Sequence, residues 1–202
     1  MQADPVSGQV VAVNHTPRPI SGATLTVHLY DLAGRRLGAE QRAGVDVAAS
    51  STAQAFTSGW TDERSDFHLL RLRLVDACGG LPAENTYWRY REAGDMRALN
   101  EAGRTRVSPE ITDTDRSGDR HGLTLRLRNR GTTVAAMVRV SLLDAENGHR
   151  VPPTLYGDNH LWLLPGESRT LSLSWPAASL ASGRPAVRVE GHNVPAVTMG
   201  RS

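Results

Sequence analysis

Positions 156–162 read YGDNHLW, and they gather the side chains best suited to chemistry. Tyr156, Asp158, Asn159 and His160 offer a phenol, a carboxylate, an amide and an imidazole, and Trp162 adds a flat ring. Hydrogen-bonding groups beside a stacking surface are what recognition of sugar hydroxyls requires. The following residues, LLPGES, read as a strand end, a Pro-Gly turn and a new strand. Leu161 and Leu163 alternate with Trp162, so these three already sit in a strand. Two expectations follow for this weakly marked site. Either Tyr156–Trp162 touches carbohydrate, or it is a lead-in that docks on a neighbouring domain. The second is favoured, with the Trp162 ring left uncovered until that domain arrives.

Other chemistry finds little support. A retaining glycosidase holds two carboxylates about 5 Å apart, but Glu84, Glu92, Glu110 and Asp158 fall in separate segments with no ordering motif. They read as solvated surface acids, and no catalytic residue is assigned. The seven histidines, His15, His28, His68, His121, His149, His160 and His192, show neither HxxxH nor HxH spacing, so no metal and no cofactor is expected. There is no GxSxG elbow and no Walker loop. The single cysteine, Cys78, lies in DACGGLP, a turn sequence, and precludes an internal disulfide. Asn14-His15-Thr16 has the form of a glycosylation acceptor, a tripeptide common by chance. Trp60, Trp88 and Trp175 stand on or near strands, where tryptophan anchors a core or an interface.

Composition narrows the function classes. With 39% hydrophobic and 22% charged residues in 202, the chain buries a core. All 23 cations are arginine, a mark of a GC-rich genome, and they spread evenly, so nucleic acid is not an expected partner. No apolar run reaches the ~18 residues of a membrane helix, so no membrane is expected either. MQADPVSGQV lacks the basic start and apolar core of a signal peptide. The expectation is a piece of a longer protein whose compartment, secreted or periplasmic, this chain does not state.

The elements that must position these residues are strands. Period-2 alternation places Leu25, Val27 and Leu29 on one face, then Leu70, Leu72 and Leu74, then Leu123, Leu125 and Leu127. Ala136, Val138, Val140 and Leu142 continue it, and Leu171, Leu173 and Trp175 close the set. One wet and one dry face per strand predicts antiparallel sheets packed as sandwiches. Hairpins are expected at Asp31–Arg36 and Asp144–Arg150, and helix only within Gly94–Gly103.

The chain also repeats itself. Val10–Leu37 and Leu123–Val151 share an order: strand, Asn, polar turn, long strand, Asp, Gly-bearing hairpin, strand. The fold class expected is all-β, two tandem immunoglobulin-like antiparallel β-sandwiches, over residues 1–92 and 105–202 with a linker at 93–104.

VVAVNHTPRPISGATLTVHLYDLAGRRL, ENTYW (Glu84–Trp88), ALN (Ala98–Asn100), GDNHLWLLPGESRTLSLSW and VRVEGHNV, in that order, resemble the C-terminal immunoglobulin-like domains of glycoside hydrolase family 2. The similarity is to the exo-β-D-glucosaminidase and endo-β-mannosidase branches. That resemblance implies a non-catalytic accessory region of an enzyme acting on β-glucosaminides or β-mannosides. Its implied partners are the catalytic barrel and N-terminal domains of the parent, with polysaccharide as a further candidate. The barrel needs about 250 residues and has no counterpart here, so none of its catalytic residues carries over. The aromatic-rich insert of the family after its YW strand is also missing: RYREAGDMRALN follows at once. The rival expectation is a free-standing carbohydrate-binding or adhesive module.

Overall fold

The computed structural model describes residues 1–4, 6–38, 40–58, 66–80, 83–92, 94–180 and 182–200. Two compact units divide the chain, Met1–Glu101 and Ala102–Ser202.

The first unit carries β1 (Gln2–Ala3), β2 (Gln9–Asn14), β3 (Ile20–Tyr30), β4 (Gln41–Val47), β5 (Ser51–Thr57), β6 (Phe67–Val75) and β7 (Ala83–Tyr90), followed by one short helix, α1 (Arg97–Asn100). Its strands form two antiparallel sheets, β1-β2-β5 and β4-β3-β6-β7. Alternation in β3 and β6 turns Leu25, Val27, Leu70 and Leu72 inward, where they meet Val10 and Ala12 of β2. Trp60 lies outside the described residues.

The second unit carries β8 (Val107–Ser117), β9 (Arg120–Asn129), β10 (Ala135–Asp144), β11 (Leu155–Tyr156), β12 (Leu161–Leu163), β13 (Ser168–Pro176), β14 (Pro185–Glu190) and β15 (Val197–Gly200). The sheets are β11-β13-β9-β8 and β12-β10-β14-β15. Leu123, Leu125, Leu127, Leu171, Leu173 and Trp175 line one side of the core, and Val138, Val140, Leu142, Val187 and Val189 the other. In this unit too, one face of each sheet is dry, as the alternation requires.

Three turns share one device. Asp31, Asp76 and Asp144 each offer a backbone carbonyl to a glycine amide, Gly34 at 2.9 Å, Gly79 at 3.0 Å and Gly148 at 2.8 Å. Each carboxylate also accepts a local backbone N–H, from Arg35, Cys78 and Glu146 respectively. This is the Asx turn chemistry that lets aspartate end a strand.

One inward residue differs from the sequence pattern. Ala135, not Ala136, joins Val138 in the core. The register of β10 against β12 shifts between Ala135 and Val138, and Met137 takes φ 52°. A β-bulge inserts one residue and resets the alternation.

Candidate functional site

The segment 156–162 is built into the second sandwich. β10 pairs with β12 at Val138↔Leu161, and beyond that point the backbone groups of β10 on this side need other partners. Asn159 supplies them. Its Oδ1 accepts the Val140 N–H at 2.8 Å and its Nδ2 donates to the Val140 carbonyl at 3.0 Å. Two residues further, the Leu142 N–H donates to the Tyr156 hydroxyl at 3.0 Å. The two side chains thus continue the ladder where strand β12 stops. The Tyr156 ring packs against the core.

Asp158 and His160 are exposed. Asp158 Oδ1 accepts the Asn159 N–H at 2.7 Å. The His160 backbone adopts φ 56° and its N–H donates to Asn159 Oδ1 at 3.0 Å. This left-handed residue turns the chain into β12, whose Leu161 and Leu163 enter the core. Trp162 lies on the opposite face of that strand and is only 6% exposed. The expectation of an uncovered Trp162 ring is therefore corrected: bulk buried on both faces of β12 leaves no free stacking surface there. Trp175 takes the expected core place at 2% exposure, edge-on to His121. Trp88, for which a core or an interface place was expected, is not in the core; on strand β7 it keeps 45% of its surface exposed.

The carboxylates stay apart in their partnerships. Glu84 lies between Arg71 (3.6 Å) and Arg73 (3.1 Å), and Glu110 pairs with Arg126 at 2.6 Å. Glu92 lines a shallow cleft with Asp66, Arg91, Asp95, Arg97 and Glu101. There the Arg97 guanidinium holds the Asp95 carboxyl down to about 2. Among the described residues no group of three metal donors forms, and His28 is spent on Glu40 at 2.6 Å.

Two buried asparagines, Asn14 and Asn129, stand at matching places of the repeat in a structural role that residue type alone does not announce. Asn14 Nδ2 donates to the carbonyls of Arg18 (2.7 Å) and Ala48 (3.0 Å), and its Oδ1 accepts the N–H of Thr16 (3.0 Å). Asn129 Nδ2 donates to the carbonyls of Thr133 (2.8 Å) and Leu163 (3.0 Å), and its Oδ1 accepts the N–H of Gly131 (3.0 Å) and the hydroxyl of Thr105 (2.7 Å). Each ties a strand end, its own turn and a distant strand together. The shared "strand, Asn, polar turn" order was the available signal. Asn14 is buried, so the Asn-His-Thr tripeptide is a structural clamp and its amide is not presented as an acceptor. Asn193 performs a third such task, accepting from the Ala136 N–H (2.9 Å) and donating to the carbonyls of Gly103 and Val134 (2.8 Å each).

The model of the exo-β-D-glucosaminidase Ig-fold domain matches residues 85–194, more than half of the chain. The chain belongs to this family. Its match opens inside the ENTYW strand and runs through the second sandwich to the loop after β14 that holds Asn193. Among curated proteins, exo-β-D-glucosaminidase of Streptomyces avermitilis is 30% identical over 91% of this chain and 23% of its own length. That of Amycolatopsis orientalis is 28% identical over 91% of this chain and 20% of its own. The crystal structure of the Amycolatopsis orientalis exo-chitosanase CsxA superposes with a TM-score of 0.90 at 26% identity, covering 99% of this chain and 26% of that one. A β-D-mannosidase from Dictyoglomus thermophilum, 15% identical with a TM-score of 0.60, shares the fold. The chain spans about a fifth to a quarter of the length of the glucosaminidases it matches. As an exo-β-D-glucosaminidase Ig-fold domain protein, it has the all-β, immunoglobulin-like sandwich architecture its strands predict.

Proposed function

We propose that this chain is a non-catalytic accessory region of a family 2 glycoside hydrolase acting on β-glucosaminides, where it braces the catalytic barrel. The observation that carries this reading is the alignment of 91% of the chain with only 23% of an exo-β-D-glucosaminidase. A match that uses nearly all of one chain and a small part of the other is what a shared accessory region produces. The site geometry supports it. Tyr156 and Asn159 spend their polar groups on strand β10, and Trp162 is covered, so these three side chains of the segment serve the sandwich.

Glucosaminide is preferred over mannoside as the substrate of the parent because the mannosidase likeness is one of fold. Bracing is supported by what each sandwich offers a neighbouring domain, broad sheet faces. The purified chain is expected to give no turnover of p-nitrophenyl β-D-glucosaminide, and the parent deleted of this region is expected to lose activity at lower temperature than the intact enzyme. Turnover by the isolated chain that disappears on substituting one acid would overturn the reading.

A further inference from the structure

The four sheets differ in what their outer faces carry. On β4-β3-β6-β7 lie the pairs His28–Glu40 and Arg73–Glu84. On β11-β13-β9-β8 lies Arg126–Glu110, and on β12-β10-β14-β15 both Arg139 and Arg188 meet Glu190. The outer face of β1-β2-β5 is different. Alternation there turns Val10, Ala12, Ala53 and Ala55 inward, which leaves Gln2, Gln9, Val11, Val13, Thr52 and Gln54 facing out. Among the described residues of these three strands none is charged, in a chain that is 22% charged.

We infer that this uncharged face is where the rest of the parent glycosidase docks, through a protein surface that is itself uncharged. This rests on the family reading above. Three observations lead to that occupant. The glucosaminidases are four to five times longer than the part this chain matches, so a parent of that length has most of its chain outside these two sandwiches, available to pack on a face of them. Of the other three faces, β4-β3-β6-β7 is already buried along β6 at Leu69 and Arg71, and the two faces of the second sandwich present ion pairs that water still reaches, Arg126–Glu110 and Arg139 and Arg188 with Glu190, so that covering them would strip charged groups of water. Interfaces are instead depleted of charge at their centre. Here the half-buried Val11 and Val13 occupy the middle strand, with Gln2 opposite Val11 on one side and Gln54 and Thr52 opposite Val11 and Val13 on the other. Amides and hydroxyls both donate and accept, so they can be covered by backbone or side chains without leaving a group unpaired.

The test adds this chain in trans to the parent enzyme deleted of the region and measures association by calorimetry. Two variants probe the face: Val11→Arg, and the gentler double Gln9→Glu/Gln54→Glu, which changes charge at exposed positions with almost no change of shape. Thr170→Arg, on the already charged face of β13, is the control. The expected result is association by the wild type and the control, weakened roughly tenfold or more in both face variants, with unchanged melting of the isolated chains. Equal binding by all four would overturn the docking face while leaving the accessory reading intact. Absence of binding by the wild type would overturn the accessory reading and this inference with it. Unchanged association but lost retention on chitosan in the face variants would replace the protein occupant with polysaccharide.

Discussion

Replacing Asn129 with alanine removes the fully buried centre of a polar junction whose Leu163 bond is buried and whose Gly131 and Thr133 bonds are partly so. The side chain donates to the carbonyls of Thr133 and Leu163 and accepts from Gly131 N–H and the Thr105 hydroxyl. The hydroxyl can rotate to another acceptor, whereas backbone groups cannot. Each buried backbone group left without its partner costs about 1–3 kcal/mol. Counting two stranded groups and partial relaxation, Asn129→Ala should cost about 3 kcal/mol. In a unit of this size that lowers Tm by roughly 12–24 °C, measured by calorimetry or near-ultraviolet circular dichroism. Asn14→Ala removes the same device from the first unit and should lower stability by a similar amount. Asn129→Asp adds a sign test. Its carboxylate would face the carbonyl oxygens of Thr133 and Leu163, which disfavours the charged form and raises its pKa above the unfolded value. The penalty is then full at neutral pH and shrinks as pH falls through the raised value, so the variant should regain stability on mild acidification. If both alanine variants melt within about 3 °C of the wild type, the clamp reasoning is wrong.

Trp162→Ala should cost about 3–5 kcal/mol by opening a cavity, while Trp88→Ala, at a half-exposed ring, should cost less than about 1.5 kcal/mol; chemical denaturation of the two variants checks the contrast. Acid should destabilise the chain, because the Ser182 hydroxyl holds the Asp144 carboxyl below its ordinary value of 3.8 and Arg139 holds Glu190 below 4.5. Those contributions are present above the ordinary values and are lost as pH falls through the lowered ones, so Asp144→Asn should flatten the fall in Tm measured between about pH 5 and 2. Limited proteolysis should cut within residues 91–104 and release two stable fragments, which mass spectrometry identifies; one resistant core spanning that segment would refute two separable units.

Much of the fold was legible because the dominant signal is local. Leucines alternating with arginine in LRLRL and with serine in LSLSW can satisfy only a strand with one dry face, and that is where Leu70, Leu72, Leu125 and Leu173 lie. The aspartates before glycine announced their turns for the same reason: the bond from Asp31 to Gly34 spans three residues, and short-range geometry is written in short-range sequence. What alternation could not show is where it breaks. The bulge at Ala136-Met137 is stabilised by Asn193, which is 57 positions from Ala136, and no window of sequence contains both.

The segment 156–162 met the same barrier. Its residue types are those of a sugar cleft, and composition alone cannot say whether an asparagine amide faces solvent or a backbone. That was decided by the end of β12, which left Val140 and Leu142 needing partners and brought Asn159 and Tyr156 to them. Burial of Trp162 was decided in the same way, since alternation assigns a face to a ring but not what covers that face. The sequence by itself thus determined strands, turns and family, properties set by neighbours along the chain. Tertiary structure decided which polar side chains are structural, because hydrogen bonds to buried backbone depend on strands that meet only in the folded protein.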